Sequence, residues 1–345
     1  MKVSDLKLRL LNRLRTAGKP AVSVGIDLGT TKSCLAYAKY DPKANTLDCA
    51  CVPFERPDGA RSAALPSAVA QQGGQRVFGA QALALRKTRG IKVERDLFHE
   101  TKNVMGLRYT FKDAPADLRS PIDVATALVG HMRSRARDLV PHPVNSPVVV
   151  TVPASFHGVQ RLATMLAAER AFELGEKSGK VRLLDEPYAA FVDLKYREPE
   201  RADALLQEGA NVLVFDFGGG TCDVAIFRID SARGGTLGAR LVGTSRYHRL
   251  GGGDIDRAIV HDVLIPQLLA QHGLQSWDVS WNTKANELQN QLLDTAERLK
   301  VALSMRLTEY RAAGMTVAPD LSVASVDMGV WCEDKPLAFK RPALD

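Results

Sequence analysis

Two short stretches of this chain share one plan, and that plan limits the folds open to it. In "AVSVGIDLGTTKSCLAYA" the apolar residues Val22, Val24 and Ile26 alternate up to Asp27. A Gly29-Thr30-Thr31 turn follows, and Leu35, Ala36 and Tyr37 resume the apolar run. In "VLVFDFGGGTCDVAIF" the residues Val212 to Phe215 lead into Asp216, the turn is Gly218-Gly219-Gly220-Thr221, and Val224 to Phe227 resume. Each stretch reads as a strand, a tight polar turn and a second strand. Glycines at such a bend let backbone N–H groups approach an anion closely, and threonines add hydroxyl donors to the same cradle. An acid at each strand end repels phosphate unless a cation lies between them. The pair therefore predicts a polyphosphate held with a divalent metal, Mg²⁺ bound largely through water.

Duplicated Asp-x-Gly turns also serve aspartic proteases, whose two carboxyls share a proton. That chemistry needs a hydroxyl residue between the acid and the glycine, and Leu28 and Phe217 occupy those places. Nucleic-acid binding finds no support either, because the net charge of +7 is spread among acids and is not gathered into a basic run with interleaved aromatics. The five cysteines, Cys34, Cys49, Cys51, Cys222 and Cys332, have no metal-ligand or redox spacing and fit a reducing cytoplasm. No apolar run approaches the roughly 20 residues that span a bilayer. A chain of 345 residues suggests two domains or one large two-lobed domain.

The first 20 residues place Leu6, Leu10 and Leu14 on one strip bordered by Lys7, Arg9, Arg13 and Arg15, and they end at Gly18 and Pro20. This pattern predicts a short amphipathic helix ahead of the first domain. Further on, "RLGGGDIDRAIV" reads as a glycine turn feeding a helix with Asp254 at its start, whose N–H groups would be free for phosphate or ribose. In "DTAERLKVALS" the residues Glu297, Lys300 and Ser304 share one helix face.

Taken in order, "GIDLGTTKSCLA", "VTVPASFHGVQR", "LLDEPYAA", "VFDFGGGTCDVAIF", "LGGGDIDRAI" and "AERLKVALS" resemble the ATPase domain of the heat-shock protein 70 (DnaK-like) chaperones, from about Val22 to about Ser304. The resemblance implies an α/β, actin-like (ribonuclease H-like, duplicated) fold, with lobe I over 21–209, lobe II over 210–345 and ATP in the cleft between them. It makes Asp27, Gly29, Thr30 and Thr31 the first phosphate turn, and Gly218, Gly219, Gly220 and Thr221 the second. It implies that Asp27, Glu186, Asp216 and Asp223 hold the waters of Mg²⁺, an alkali cation such as K⁺, or the attacking water, with Asp27 and Asp216 nearest the metal. Gly251, Gly252, Asp254, Glu297, Lys300 and Ser304 would serve the nucleotide. Pro153 and Arg161 resemble the switch that relays nucleotide state, and Arg182 the arginine that docks a J-domain co-chaperone.

The sequence departs from the family pattern in several places. Anchored on Phe78-Gly79 and Ala82, the position of the family's phosphate-contacting lysine falls on Leu83, with Arg86 and Lys87 one helical turn away. Val301 replaces an arginine that packs on adenine, Gly253 an acidic residue and Lys32 a tyrosine. After Ser304 the chain alternates like strands of lobe two, and a third glycine-rich nucleotide motif is expected to be missing, along with a leucine-rich linker and a peptide-binding domain. The expectation is a DnaK-like chaperone ATPase module using ATP or ADP with Mg²⁺. Its partners would be a J-domain protein, a nucleotide-exchange factor and, where a substrate domain follows, unfolded client chains. The alternatives are a nucleotide-binding pseudo-ATPase or interaction scaffold of the same fold, motivated by Leu83 and the missing third motif, and a small-molecule kinase, against which "VPASFHGVQR" and "LLDEPYAA" argue.

Overall fold

The computed structural model describes residues 21–137, 147–175, 179–232, 236–273, 287–318, 320–332 and 335–345. The helix expected over the first 20 residues lies outside them. The predicted hairpins are both present. Strands β1 (Ala21–Leu28), β2 (Lys32–Asp41) and β3 (Thr46–Cys51) form a meander, and β4 (Ala64–Pro66) pairs with the start of β2. A small three-stranded sheet follows, made of β5 (Ala68–Gln72), β6 (Gln75–Phe78) and β7 (Leu97–His99), with helix α1 (Gly79–Ala84) between the last two.

Helix α2 (Pro121–Ala136) begins with Ser120 capping the backbone N–H of Asp123 while the Asp123 carboxylate accepts the Ser120 N–H, a reciprocal cap with proline at the first helical position. Strand β8 (Val148–Val152), helix α3 (Gly158–Ala171), strand β9 (Val181–Asp185) and helix α4 (Glu186–Arg197) complete this part. The six-stranded sheet has the order β9-β8-β1-β2-β3, with β4 on β2, and β8 runs parallel to both β1 and β9. One face, carrying Val24, Ile26, Leu35, Val148 and Val150, packs against α2 and α3 in the largest core of the molecule. The period of two then sends Asp27 and Thr151, paired across β1 and β8, to the other face.

Helix α5 (Pro199–Leu205) leads to the second hairpin, β10 (Asn211–Phe217) and β11 (Cys222–Ala232), joined by β12 (Thr236–Thr244) in a three-stranded antiparallel sheet. Phe191 of α4 and Ala202 of α5 pack with Ala225 and Phe227 on one face of this sheet. Its other face leaves Leu213, Phe215, Phe217, Ile226 and Val242 exposed. Helix α6 (Gly252–Ile259), a π turn and helix α7 (Ile265–Gln271) pack against the long helix α8 (Gln289–Ala312) in a separate core. Alternating segments beyond Ser304 do form strands, but only after α8 has run eight residues further: β13 (Val323–Ala324) pairs with β16 (Ala343–Leu344), and β14 (Met328–Cys332) with β15 (Lys335–Phe339). Among the described residues no helix is long and apolar enough to cross a membrane, and no disulfide joins any of the five cysteines.

Candidate functional site

The two hairpin turns face one another across a cleft of about 600 Å³. Asp27, Gly29, Thr30, Thr31 and Lys32 line it from the first hairpin, and Asp216, Phe217, Gly218, Gly219 and Thr221 from the second. Each turn is braced from behind. Ser67 donates its hydroxyl to the Gly29 carbonyl at 2.8 Å and its N–H to the Thr31 carbonyl at 2.8 Å. In the second turn the Gly218 N–H reaches the Thr221 carbonyl at 2.9 Å. Glycine is required here by space: a Cβ on Gly220 would meet Thr30 Cγ2 at 2.5 Å and Asn103 Oδ1 at 2.7 Å. The turns are therefore in contact with one another.

Acids gather on this floor. Thr151 hydrogen-bonds Asp27 at 3.1 Å. Asp216 sits opposite Asp223 in the β10–β11 register, and its carboxyl is pushed above the ordinary range by burial, then by the charge of Asp223 and that of Asp27, with Lys102 acting against them. Burial likewise raises Glu186, with Asp27 and Asp216 adding to the shift and Lys102 opposing it. Asp223 is 3% exposed, behind the cleft lining, and accepts a hydrogen bond from Ser155. Oxygen donors crowded to the point of mutual repulsion suit a hard cation, and no cluster among the described residues is built to hold a metal by three or more direct protein ligands. Water-mediated binding of Mg²⁺ fits that donor set.

The cleft also holds a lysine, and it is not where the sequence pattern placed one. Leu83 packs beside Ala68, Ala70, Ala82 and Leu97 in a small apolar cluster and does not line the cleft. Lys102 does line it, with Nζ 2.9 Å from Glu186 Oε1 and side-chain exposures of 8% and 17% for the pair. The anchor on Phe78-Gly79 points to the wrong segment. Leu97 and Phe98 open β7, which ends at His99, and Glu100 in the left-handed region at φ 56° turns the chain into the short 3-10 helix that carries Lys102. Such a bend in a residue other than glycine costs energy and occurs where the surroundings enforce it. The usable signal is a short apolar run followed by a lysine, "LFHETKNV", which has no periodicity to draw attention to it. Arg86 is half-buried near the acids Glu100, Glu297, Asp294 and Asp256, and desolvation lowers its proton affinity. It stands behind the cleft wall and is not part of the lining.

The remaining sequence candidates divide. Glu297 and Lys300 of α8 line the cleft, and Ser304, one turn further, does not. Val301 is exposed. Lys300 bonds the Gly252 carbonyl at 3.0 Å and pairs with Asp256 at 2.7 Å. Gly252 and Gly253 line the cleft, whereas Gly251 and Asp254 lie outside the lining. The N–H groups expected to be free at this helix start are engaged: Gly251 N–H goes to Asp254 Oδ2, and Gly252 and Gly253 N–H go to the carbonyls of Gly218 and Gly219. The start of α6 thus clamps the second turn. A side chain at position 253 would press on Glu100 Oε1 and the Gly219 carbonyl at 3.1 Å, which accounts for glycine there. Pro153 is buried in the loop after β8, Arg161 pairs with Asp185 at 2.6 Å, and Arg182 is exposed on β9.

Residues 23–328 match the family model described as Hsp70 protein. The chain is 32% identical over 300 residues to the chaperone protein DnaK of Thermosipho africanus, an overlap covering 84% of this chain and 42% of that protein. It is 33% identical over 299 residues to the chaperone protein HscA homolog of Burkholderia multivorans, covering 82% and 42%. A further HscA homolog, from Burkholderia cenocepacia, is 32% identical over 321 residues, covering 87% and 45%. The chain spans less than half the length of these curated relatives. With a family model covering most of its length and two acid-tipped hairpins meeting at one cleft, the chain belongs to the Hsp70 family and has the actin-like, two-lobed α/β fold of that family's ATPase domain.

Proposed function

We propose that the chain is a chaperone ATPase module that holds Mg-ATP between lobe I (21–209) and lobe II (210–345) and couples slow hydrolysis to protein folding. The observation that carries this reading is the meeting of the two glycine turns and their acids in one cleft with Lys102 on its floor. The glycine turns offer close backbone approach to the phosphates, and Thr30, Thr31 and Thr221 add hydroxyls. Asp27 and Asp216 would hold Mg²⁺ through water, and the ion would supply the charge that reconciles phosphate with carboxylate. Lys102 stabilises charge on the transferring phosphoryl group. Asp216 helps to orient the attacking water, and Glu186, whose proton affinity burial raises, accepts its one proton. Glu297 and Lys300 supply polar contacts at the far end of the cleft.

With Lys102 in the cleft, the apolar residue at position 83 no longer favours a pseudo-ATPase. The partners we propose by likeness to DnaK and HscA are a J-domain co-chaperone, a nucleotide-exchange factor and, where a substrate-binding domain is joined to the module, unfolded client chains. Cysteines without disulfides favour a reducing, cytoplasmic setting. Calorimetry with ATP in Mg²⁺ and in chelator tests the core of the reading: affinity is expected to depend on the metal, and equal affinity in both conditions overturns it.

A further inference from the structure

The loop from Pro153 to His157 joins β8 to α3, and its own arginine holds its shape. Phe156 N–H closes a turn on the Pro153 carbonyl at 3.1 Å. Arg161 donates Nε–H to the Phe156 carbonyl at 2.9 Å, reaches the carbonyls of Pro153 and Ala154 at 3.5 and 3.4 Å, and is itself fixed by Asp185. Thus held, the loop carries Ser155 to the second hairpin and Phe156 to Tyr247 and Lys102. Phe156 packs on Tyr247, ring centroids 5.8 Å apart, and lies under Lys102 Nζ at 5.6 Å. Ser155, 7% exposed, donates its hydroxyl to Asp223 Oδ1 from 68 residues earlier in the chain.

That hydrogen bond has a specific consequence for the carboxylate that receives it. Asp223 is buried on β11 directly opposite Asp216, so two acids share a confined space. A buried carboxylate needs hydrogen-bond partners, and a hydroxyl that donates to one oxygen fixes its orientation. We propose that Ser155 is a positioning residue for the nucleotide site: its hydroxyl holds Asp223 by Oδ1 in the place that faces the cleft residue Asp216 across the β10–β11 pair, and metal-dependent nucleotide affinity depends on that hydrogen bond. This rests on the Mg-ATP reading above. It differs from a packing role because a hydroxyl that only fills space would affect binding with and without metal alike.

The test is a double-mutant cycle on the full chain, read by calorimetry with ATP in Mg²⁺ and in chelator. Ser155→Ala is expected to lower Mg-ATP affinity about tenfold and to leave affinity in chelator unchanged. On an Asp223→Asn background the same substitution is expected to add no further loss. Equal losses in both conditions, or an undiminished loss on the Asp223→Asn background, overturn the proposal. Should Ser155→Ala fail to give a cooperative melt, Ser155→Thr, which keeps the hydroxyl, carries the comparison, and loss of its metal dependence overturns the proposal. A wild-type chain whose ATP affinity ignores Mg²⁺ sinks the nucleotide reading itself. Metal-dependent wild-type binding that Ser155→Ala leaves untouched sinks only the role of Ser155.

Discussion

At the scale of single residues, the proposed chemistry turns on Lys102. Its ammonium group is nearly buried against Glu186, and its remaining donors face the cleft where a terminal phosphate would lie. Removing a positioned cation from a phosphoryl-transfer site costs rate more than binding. Lys102→Ala is therefore expected to slow single-turnover hydrolysis at least about 100-fold while ATP affinity changes less than about threefold. Leu83→Lys is expected to leave hydrolysis unchanged, since Leu83 packs in an apolar cluster. Acceleration by Leu83→Lys in the same assay would reverse that assignment. Asp216 offers a second test, through pH. Its folded-state proton affinity is raised by burial and by Asp223, so its protonated form contributes stability below the ordinary carboxyl range and loses it as pH rises through the higher folded value. At pH 7 the charged carboxylate is thus a liability without ligand. Asp216→Asn is expected to raise the ligand-free melting temperature by about 2–4 °C at pH 7, with the gain vanishing near pH 4. A gain that grows on acidification would contradict the sign.

At the scale of elements, the two turns and the start of α6 form one interlocked unit. A Cβ on Gly251 would meet Gly220 N at 2.5 Å and the Gly218 carbonyl at 2.7 Å, so the helix start and the second turn approach each other at backbone distance. The amides of Gly252 and Gly253 are spent on that contact, which fixes the turn in place of binding phosphate directly. Gly220→Ala forces a methyl group into Thr30 and Asn103 and separates the hairpins. Differential scanning calorimetry should then show a melting temperature lower by about 5 °C, and ATP binding should be lost. An unaltered melt with intact binding would show that the turns are not in register as described.

At the scale of the whole molecule, the nucleotide cleft is closed by polar contacts and one large apolar face is left open. Lys87 pairs with Asp294 at 2.8 Å, tying the turn after α1 to helix α8, and Arg257 pairs with Glu100 at 2.9 Å, tying the segment around Lys102 to helix α6. The outer face of the β10–β11–β12 sheet carries Phe215 at 62% exposure beside Leu213, Phe217 and Val242, and β10 is an edge strand. Apolar faces of this kind beside an open edge favour association. Sizing chromatography of this chain is expected to show dimers or larger species, shifting toward monomer in Phe215→Lys. A monodisperse wild-type monomer at micromolar concentration would argue that the face is tolerated in water.

Local pattern carries much of the fold and site, and long-range packing carries the rest, for physical reasons visible in particular residues. Strand alternation and turn chemistry are properties of neighbours, so the two hairpins, the acids at their ends and the helices beginning at Glu186 and Gly252 are legible in the amino-acid order alone. So is the cleft as an idea, because two like turns with repelling acids imply a shared cation. What a turn's amides and a lysine do depends on partners distant in sequence. Lys102 reaches Glu186 across 84 positions and Ser155 reaches Asp223 across 68, and neither pairing leaves a periodic trace. The amides of Gly252 and Gly253 read as free along the chain because the carbonyls that take them belong to another turn. The sequence by itself determined which backbone segments form the two glycine turns; the tertiary structure alone decided which side chains meet there, since burial and charge pairing act between elements and not along them.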